Sequence, residues 1–533
     1  MRIRINRIEH SHSTNINKTA NRSLTLIVTT ISATAAATLL LHQKSHLAAE
    51  VDGAATAIKS ANGMAGSTPA SSTLPSEACK ELSSLLGSRF TMDKDDCSAH
   101  ANDSSSYHSG PLPAAVAYPM STEEVSKIAQ IASKYKFILV PYGSGTSLEG
   151  HTSAPNNGSL TVDMSHMQRI LKIHAEDMQV TVEPGVSYHH LNDELKSTGL
   201  YFPVDPGPGA SIGGMVGTSC SGTNAVRYGT MKFNVVNVTV VLADGTIIKT
   251  AQRARKSSAG YDLTRLFIGS EGTLGIITEV TLKLHNIPEQ TAVAICQFDS
   301  IKSAAAAASA IERNGAQLGC IELLDDVCIR IVNAYSNFTY AEKPSIFFKF
   351  HGSKGSVADD ISKVESIVKS HMALGPLVYT SDPIECNRIW DARKQALWAT
   401  MAYRPNGRVW TTDVCVPISR LAECIDETKR DIQQHPQFIA PIVGHVGDGN
   451  FHVLMCIDPS DPSEMKIAST INSRMIERAI SMEGTCTGEH GVGIGKREYL
   501  ERELGIESVE LMRKLKRTID PLNIMNPGKI FFS

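Results

Sequence analysis

The sequence predicts an α+β fold built in two units, and three observations carry that expectation. Strands and helices mix without strict alternation between residues 114 and 285. Glycine-rich loops follow several of those predicted strands. From residue 291 the rhythm changes to strands alternating with helices, the pattern of an α/β sandwich whose one sheet is covered on one side. A chain of 533 residues is also too long for a single core, so two or three domains are expected.

The elements follow in order. Residues 1–45 hold Arg2, Arg4, Arg7, Lys18 and Arg22 against a single acid, Glu9, with Ser, Thr and Asn between them. That is the composition of a mitochondrial presequence. Within it an uncharged run over 23–43 is marginal in length for a bilayer span, which needs ~20 apolar residues. It reads as a second sorting signal or a weak inner-membrane anchor, with a plain cleaved extension as the alternative. Residues 46–75 are rich in Ala, Ser, Gly and Thr and predict a flexible linker. A short helix over 77–86 should end at Gly87. A strand over 114–118 leads to Ser121, which opens the capping sequence STEE for a helix to about 134. Strands are expected over 137–140, 160–163 and 179–183, a helix over 188–199, and a strand over 234–241. The Asp244–Gly245 pair reads as a hairpin turn into 246–250. A strand over 274–285 closes the first unit. In the second unit strands are expected over 291–298, 345–351 and 408–414, and on both sides of the turn at 447–450. Helices are expected over 301–313, 357–370, 388–401, 418–432, 466–482 and 509–518.

The first unit is organised around glycine. PYGSGTSLEGH at 141–151, PGPGASIGGMVGTSCSGTNAVRYGT at 206–230 and GSEGTLGI at 269–276 are three such loops. Each glycine gives up backbone entropy, and the usual reason to accept that cost is close approach of the backbone to a ligand. Any one loop is an ordinary tight turn; three together predict a cradle for a large, flat, phosphate-bearing cofactor. Neither GxGxxG nor GxxxxGK[ST] closes a first strand, so a Rossmann or P-loop site fits poorly. Formal net charge is −3, which gives no reason to expect a nucleic-acid partner. The eleven cysteines include no CxxC pair, so they read as reduced and mostly buried thiols.

The second unit carries the chemistry. His445 and His452 bracket the turn in GHVGDGNFH, which folds both imidazoles towards one point. Glu489 and His490 follow in TGEHGVGIGK. Two histidines and a carboxylate are a ligand set for Zn²⁺, Mn²⁺ or Fe²⁺ with a position left open. The alternative is that each histidine is a satisfied core residue.

Several of these stretches carry a family resemblance. VPYGSGTSLEGH, VEPGVSYHHLN, FPVDPGPGASIGGMVGTSCSGTNAVRYGT, ARKSSAGYDLTRLFIGSEGTLGIITEVTLKL, GHVGDGNFH, TGEHGVGIGK and DPLNIMNPGK resemble the vanillyl-alcohol oxidase and p-cresol methylhydroxylase superfamily. Within it the chain is most similar to the mitochondrial FAD-dependent D-lactate dehydrogenases that pass electrons to cytochrome c. The resemblance spans roughly residue 79 to the C-terminus.

It implies a p-cresol methylhydroxylase-type FAD-binding domain over 76–288 and an α/β, ferredoxin-like cap over 289–480. A segment over 481–533 would complete the active site and return to the FAD domain. It implies FAD contacts at Pro141, Gly143, Ser144, Gly145, Thr146 and Ser147. A second set would be Pro206, Gly213, Gly214, Ser219, Ser221 and Gly222, and a third Glu271, Gly272 and Ile277. It implies a divalent metal, Zn or Mn, on His445, His452 and Glu489, with His490 as base and Arg393 as the carboxylate-binding residue. His151 is the nearest candidate for a covalent flavin link, and a non-covalent flavin is preferred.

The expected reaction is oxidation of a small 2-hydroxy acid, with cytochrome c as acceptor. Leu397, placed one helical turn after Arg393, and Thr411 stand where relatives acting on 2-hydroxyglutarate present polar or cationic residues. That favours a monocarboxylate such as D-lactate. Lys394 is expected in solvent, and Tyr335 and Trp398 in the core. Competing readings are a dehydrogenase of glycolate or 2-hydroxyglutarate, a non-redox flavin alkyl-transfer enzyme, and a non-catalytic flavin-binding protein.

Overall fold

The computed structural model describes residues 73–103, 106–404 and 407–532. The expected presequence, its apolar run and nearly all of the expected linker lie outside the described residues. Among the described residues no helix is long and apolar enough to cross a membrane.

The first sheet has four strands in the order Phe90–Thr91, Ala115–Ala117, Leu160–Asp163, Leu139–Tyr142. The last three run parallel. The capping sequence behaves as predicted: the Ser121 side chain accepts the Glu124 N–H at 3.3 Å and starts the helix Thr122–Tyr135. A second sheet of five antiparallel strands follows, Ile170–His174, Gln179–Val182, Ile276–Lys283, Val235–Val241 and Ile247–Lys249. The last two form the expected hairpin, with Gly245 at φ +86° in its turn. Two apolar cores lie under these sheets, one built on Leu139 and Val162, the other on Val182 and Val280.

The second unit is one eight-stranded antiparallel sheet. Along it run Val378–Thr380, Gln290–Gln297, Ser345–Gly352, Leu318–Leu324, Ile442–His445, Asn450–Ile457 and Arg408–Thr411, and Val414–Cys415 also pairs with Asn450–Ile457. Here the structure corrects the expectation of a sheet covered on one side. Ala292, Ala294 and Cys296 belong to a core on one face that also takes in residues of the helices Ile301–Arg313, Lys354–Ser370, Leu421–Gln433 and Pro462–Ser481. Val293 and Ile295 pack on the other face, against Asp326–Ser336, Pro383–Lys394 and Ala396–Tyr403. Strands apolar at both parities, such as the wholly buried Asn450–Ile457, require cover on both faces.

The helix expected over 388–401 is two helices that meet at Gln395, whose side chain accepts from Ser336. Leu397 therefore belongs to the second helix and not to the turn after Arg393. Tyr335 and Trp398 are 49% and 39% exposed, so neither is a core aromatic. The strand Leu318–Leu324 and the helix Asp326–Ser336 were not assigned from sequence. The final loop pairs with the first sheet: Leu139 donates to the Ile524 carbonyl, and Asn526 donates back to that of Leu139. All eleven cysteines are free, and all but Cys79 and Cys415 are buried.

Candidate active site

A cavity of about 710 Å³ is lined by the glycine loops at one end and by the second unit's sheet at the other. Strand periodicity decides which side chains of the sheet reach it, because alternate residues share a face. Cys320 and Leu324 pack on the face that carries Arg393's helix, so Glu322 shares that face. The same parity places His445 with Val443, His452 with Leu454 and Cys456, and Thr411 with Val409.

The turn between His445 and His452 needs Gly449 at φ +80°, where a Cβ would collide with the Val416 carbonyl oxygen. The two imidazoles stand 5.4 Å apart and nearly perpendicular. Each donates its Nδ1–H to a fixed acceptor: His445 to Glu322 Oε1 at 2.8 Å, His452 to the Thr412 carbonyl at 2.9 Å. Their Nε2 atoms lie 3.0 and 3.1 Å from the same oxygen, Glu489 Oε1. Burial works against a charged His445 ring, but Glu322 and Glu489 outweigh it and hold the imidazole well above its usual range. Two lone pairs and a carboxylate oxygen this close repel unless a cation lies between them. A divalent ion satisfies all three atoms, so the donor set fits a metal.

Glu489 and His490 sit on a loop held by Asp413. Its Oδ2 accepts the backbone N–H of Glu489 at 2.9 Å, that of His490 at 3.0 Å and the Thr487 hydroxyl at 2.8 Å. Burial pushes the Asp413 carboxyl up, but the Lys496 ammonium outweighs it and holds it far below the ordinary carboxylate range. The His490 ring stacks on that of His452 at 4.8 Å and 12°. Burial lowers its pKa to about 4 despite the opposing Asp413 carboxylate. Burial thus favours its neutral form, and its buried Nδ1 has no hydrogen-bond partner. The same loop is clamped further on, where Glu271 accepts the N–H groups of Val492 and Gly493 at 2.7 and 2.9 Å.

Arg393 is tied through Nε to Glu322 Oε2 at 2.7 Å. Its side chain is 12% exposed, and among the described residues its terminal nitrogens have no hydrogen-bond partner. Lys394 points to solvent at the rim. Leu397, Trp398, Thr411 and Trp390 also line the cavity, and the Trp390 Nε1 and Thr411 Oγ1 are buried without partners.

At the glycine end, Pro141, Gly143, Ser144, Gly145, Thr146 and Ser147 line the cavity with Pro206, Gly213, Gly214, Gly222, Glu271, Gly272 and Ile277. Ser219 and Ser221 are not in that lining: Ser219 sits at φ +54° as the cap of the helix Ile212–Thr218, and Cys220 between them lines the cavity. The Glu271 carboxylate serves the loop at 492–493, so its place in the cavity wall is not a free acid. His151 lies in the wall too, with its Nε2 3.3 Å from Glu271. A flavin dinucleotide fits this end. A Cβ on Gly207 or Gly217 would meet no protein atom within 4 Å, so the backbone is bare to the cavity where packing does not require it. The buried Ser211 hydroxyl, in the same wall, lacks a partner. Glu322, Asp413, Lys496 and Ser211 were not singled out from sequence.

Comparison with known proteins agrees with this geometry. Residues 113–251 match the family described as "FAD binding domain", and residues 287–530 match "FAD linked oxidases, C-terminal domain". The chain is 46% identical over 458 residues to a protein of Arabidopsis thaliana named D-lactate dehydrogenase [cytochrome], mitochondrial, covering 86% of this chain and 80% of that one. It is 45% identical to D-lactate dehydrogenase [cytochrome] 1, mitochondrial, of Saccharomyces cerevisiae, covering 85% and 79%. Among solved structures, p-cresol methylhydroxylase with substrate bound superposes with TM-score 0.71 at 16% identity, covering 85% of this chain and 96% of that one. The chain therefore belongs to the FAD-linked oxidase family and is an FAD-dependent oxidoreductase. Its fold is that of p-cresol methylhydroxylase.

Proposed function

We propose that the protein oxidises D-lactate to pyruvate in the mitochondrion and passes the electrons to cytochrome c. One observation carries the reading. The free end of Arg393, the Nε2–Nε2–carboxylate cluster and the His490 ring line one cavity with the glycine-loop cradle. The names of the relatives supply the particular hydroxy acid, the acceptor and the compartment. We divide the chain accordingly into a FAD-binding domain over 76–288, a cap over 289–480 and a segment over 481–533 that completes the site.

Bound here, FAD supplies the hydride acceptor, and a divalent ion, Zn or Mn, supplies Lewis acidity at the hydroxyl. The protein's own residues do the rest. Arg393 offers its planar fork to the substrate carboxylate, a paired contact that an ammonium cannot make. His445, His452 and Glu489 would hold the metal. His490, whose ring lines the cavity, takes the hydroxyl proton as the α-hydrogen leaves. The loss of that proton and of a hydride turns the hydroxy acid into the 2-oxo acid. Arg393 is the one partly buried lysine or arginine among the described cavity-lining residues, and Leu397 and Thr411 add no second cation. That favours a monocarboxylate over a dicarboxylate.

A steady-state panel of D- and L-2-hydroxy acids, read with cytochrome c and with a dye, tests this. D-lactate should rank above D-2-hydroxyglutarate and glycolate, with L-lactate inert. Preference for D-2-hydroxyglutarate, or turnover with the dye alone, contradicts the substrate or the acceptor respectively.

A further inference from the structure

Glu322 stands in the middle of the apolar strand Leu318–Leu324, with its side chain 1% exposed. A carboxylate there costs several kcal/mol unless fully partnered. It has two side-chain partners, one on each oxygen: His445 Nδ1 at 2.8 Å and Arg393 Nε at 2.7 Å. The histidine is its direct cross-strand neighbour in the sheet register, and the arginine reaches it from a helix. Both contacts are side-on in a way that matters. Holding His445 by Nδ1 turns Nε2 towards Glu489 and His452. Holding Arg393 by Nε leaves the two terminal nitrogens open, where a head-on pair would have consumed them.

We propose that Glu322 is a positioning residue shared by the metal ligand and the substrate-carboxylate arginine, so that one carboxylate sets both halves of the site. The inference rests on the roles given above to Arg393 and His445 and names the device that links them. A purely structural ion pair would affect only stability. A shared positioning group affects metal retention and substrate affinity together.

The test is Glu322→Gln in the flavin-loaded enzyme. Its amide oxygen can accept from only one of the two partners. Metal retained against a chelator should fall about 10–100-fold. With Mn²⁺ restored to saturation, the KM for D-lactate should still rise about tenfold, the scale of one lost charged hydrogen bond. Flavin absorbance should not change. Arg393→Gln should raise KM and leave metal content alone. The double variant should be no worse in KM than Arg393→Gln within about twofold, since both changes disable the same contact. If Glu322→Gln does not fold, Glu322→Asp, which keeps the charge and shortens the reach, should show intermediate losses of both properties. Strictly additive effects on KM overturn the proposal, as does a variant that loses only thermal stability. Metal content of the wild type is measured first. A metal-free wild type overturns the metal reading and this proposal with it. A metal-loaded wild type with an unaffected Glu322→Gln overturns this proposal alone.

Discussion

Asp413 grips His490 through the main chain and not through the ring: its Oδ2 accepts the His490 backbone N–H at 3.0 Å. The same oxygen takes the N–H of Glu489, so one buried carboxylate aims Glu489 and His490 at once. Lys496 balances its charge from 3.7 Å and also donates to the Asp413 carbonyl at 2.9 Å.

Asp413→Ala should therefore cut turnover about 10²-fold, the scale of a misplacement of roughly 1 Å at a reacting group. It should also cost about 3 kcal/mol of stability, because Lys496 loses a buried partner. Steady-state kinetics and thermal unfolding of the flavin-loaded protein check both. Unchanged turnover would show that the loop at 487–490 holds its shape without Asp413.

Metal and base should separate by mutation. His445→Ala or His452→Ala should lose bound metal and most activity while FAD stays, since the glycine loops lie at the other end of the cavity. His490→Ala should keep metal and flavin and lose ~10²–10⁴-fold in turnover, the usual worth of general-base assistance. Metal analysis and flavin absorbance on the three variants decide it. Full metal content in His452→Ala would contradict the ligand assignment.

Arg393→Lys should raise KM about tenfold with a smaller effect on kcat. An ammonium can keep the contact to Glu322 or reach the substrate carboxylate, but it cannot form the paired contact. A fall in kcat with KM unchanged would move Arg393 out of the binding step.

One pH effect follows from a site away from the chemistry. His100 Nε2 lies 2.8 Å from Asp163 Oδ2 in the wall of the first sheet. Burial opposes charge on this ring, but Asp163 and the Asp96 carbonyl outweigh it, so its folded pKa is raised. A raised folded pKa contributes stability that is complete below the unfolded value near 6.5 and is lost as pH rises through the folded value. The unfolding midpoint of the wild type should thus fall more steeply above pH ~6.5 than that of His100→Asn. Parallel profiles would show that the ring is neutral in the folded state.

Much of this was legible in the residues. The three glycine loops and the turn between His445 and His452 are local features, and each forms where its own sequence puts it. The antiparallel hairpin around Gly245 and the helix capped by Ser121 are local in the same sense. What was missed depends on partners far along the chain. Glu322 in LGCIELL and Asp413 in TTDVCV are single acids inside apolar stretches, which is a signal, because such acids persist only when paired. Their partners lie 123 residues away at His445 and 77 away at His490, which no periodicity reveals. The sheet's second covered face was readable in strands apolar at both parities. It was obscured because the helix Asp326–Ser336 went unassigned and the helices meeting at Gln395 read as one.

The central claim is that this cavity moves a hydride from D-lactate to FAD. Anaerobic titration of the purified, metal-loaded protein tests it most directly. D-lactate should bleach the oxidised flavin absorbance with one equivalent of pyruvate formed per flavin, and L-lactate should leave the spectrum unchanged. A yellow, metal-loaded protein whose flavin D-lactate does not bleach would contradict the account.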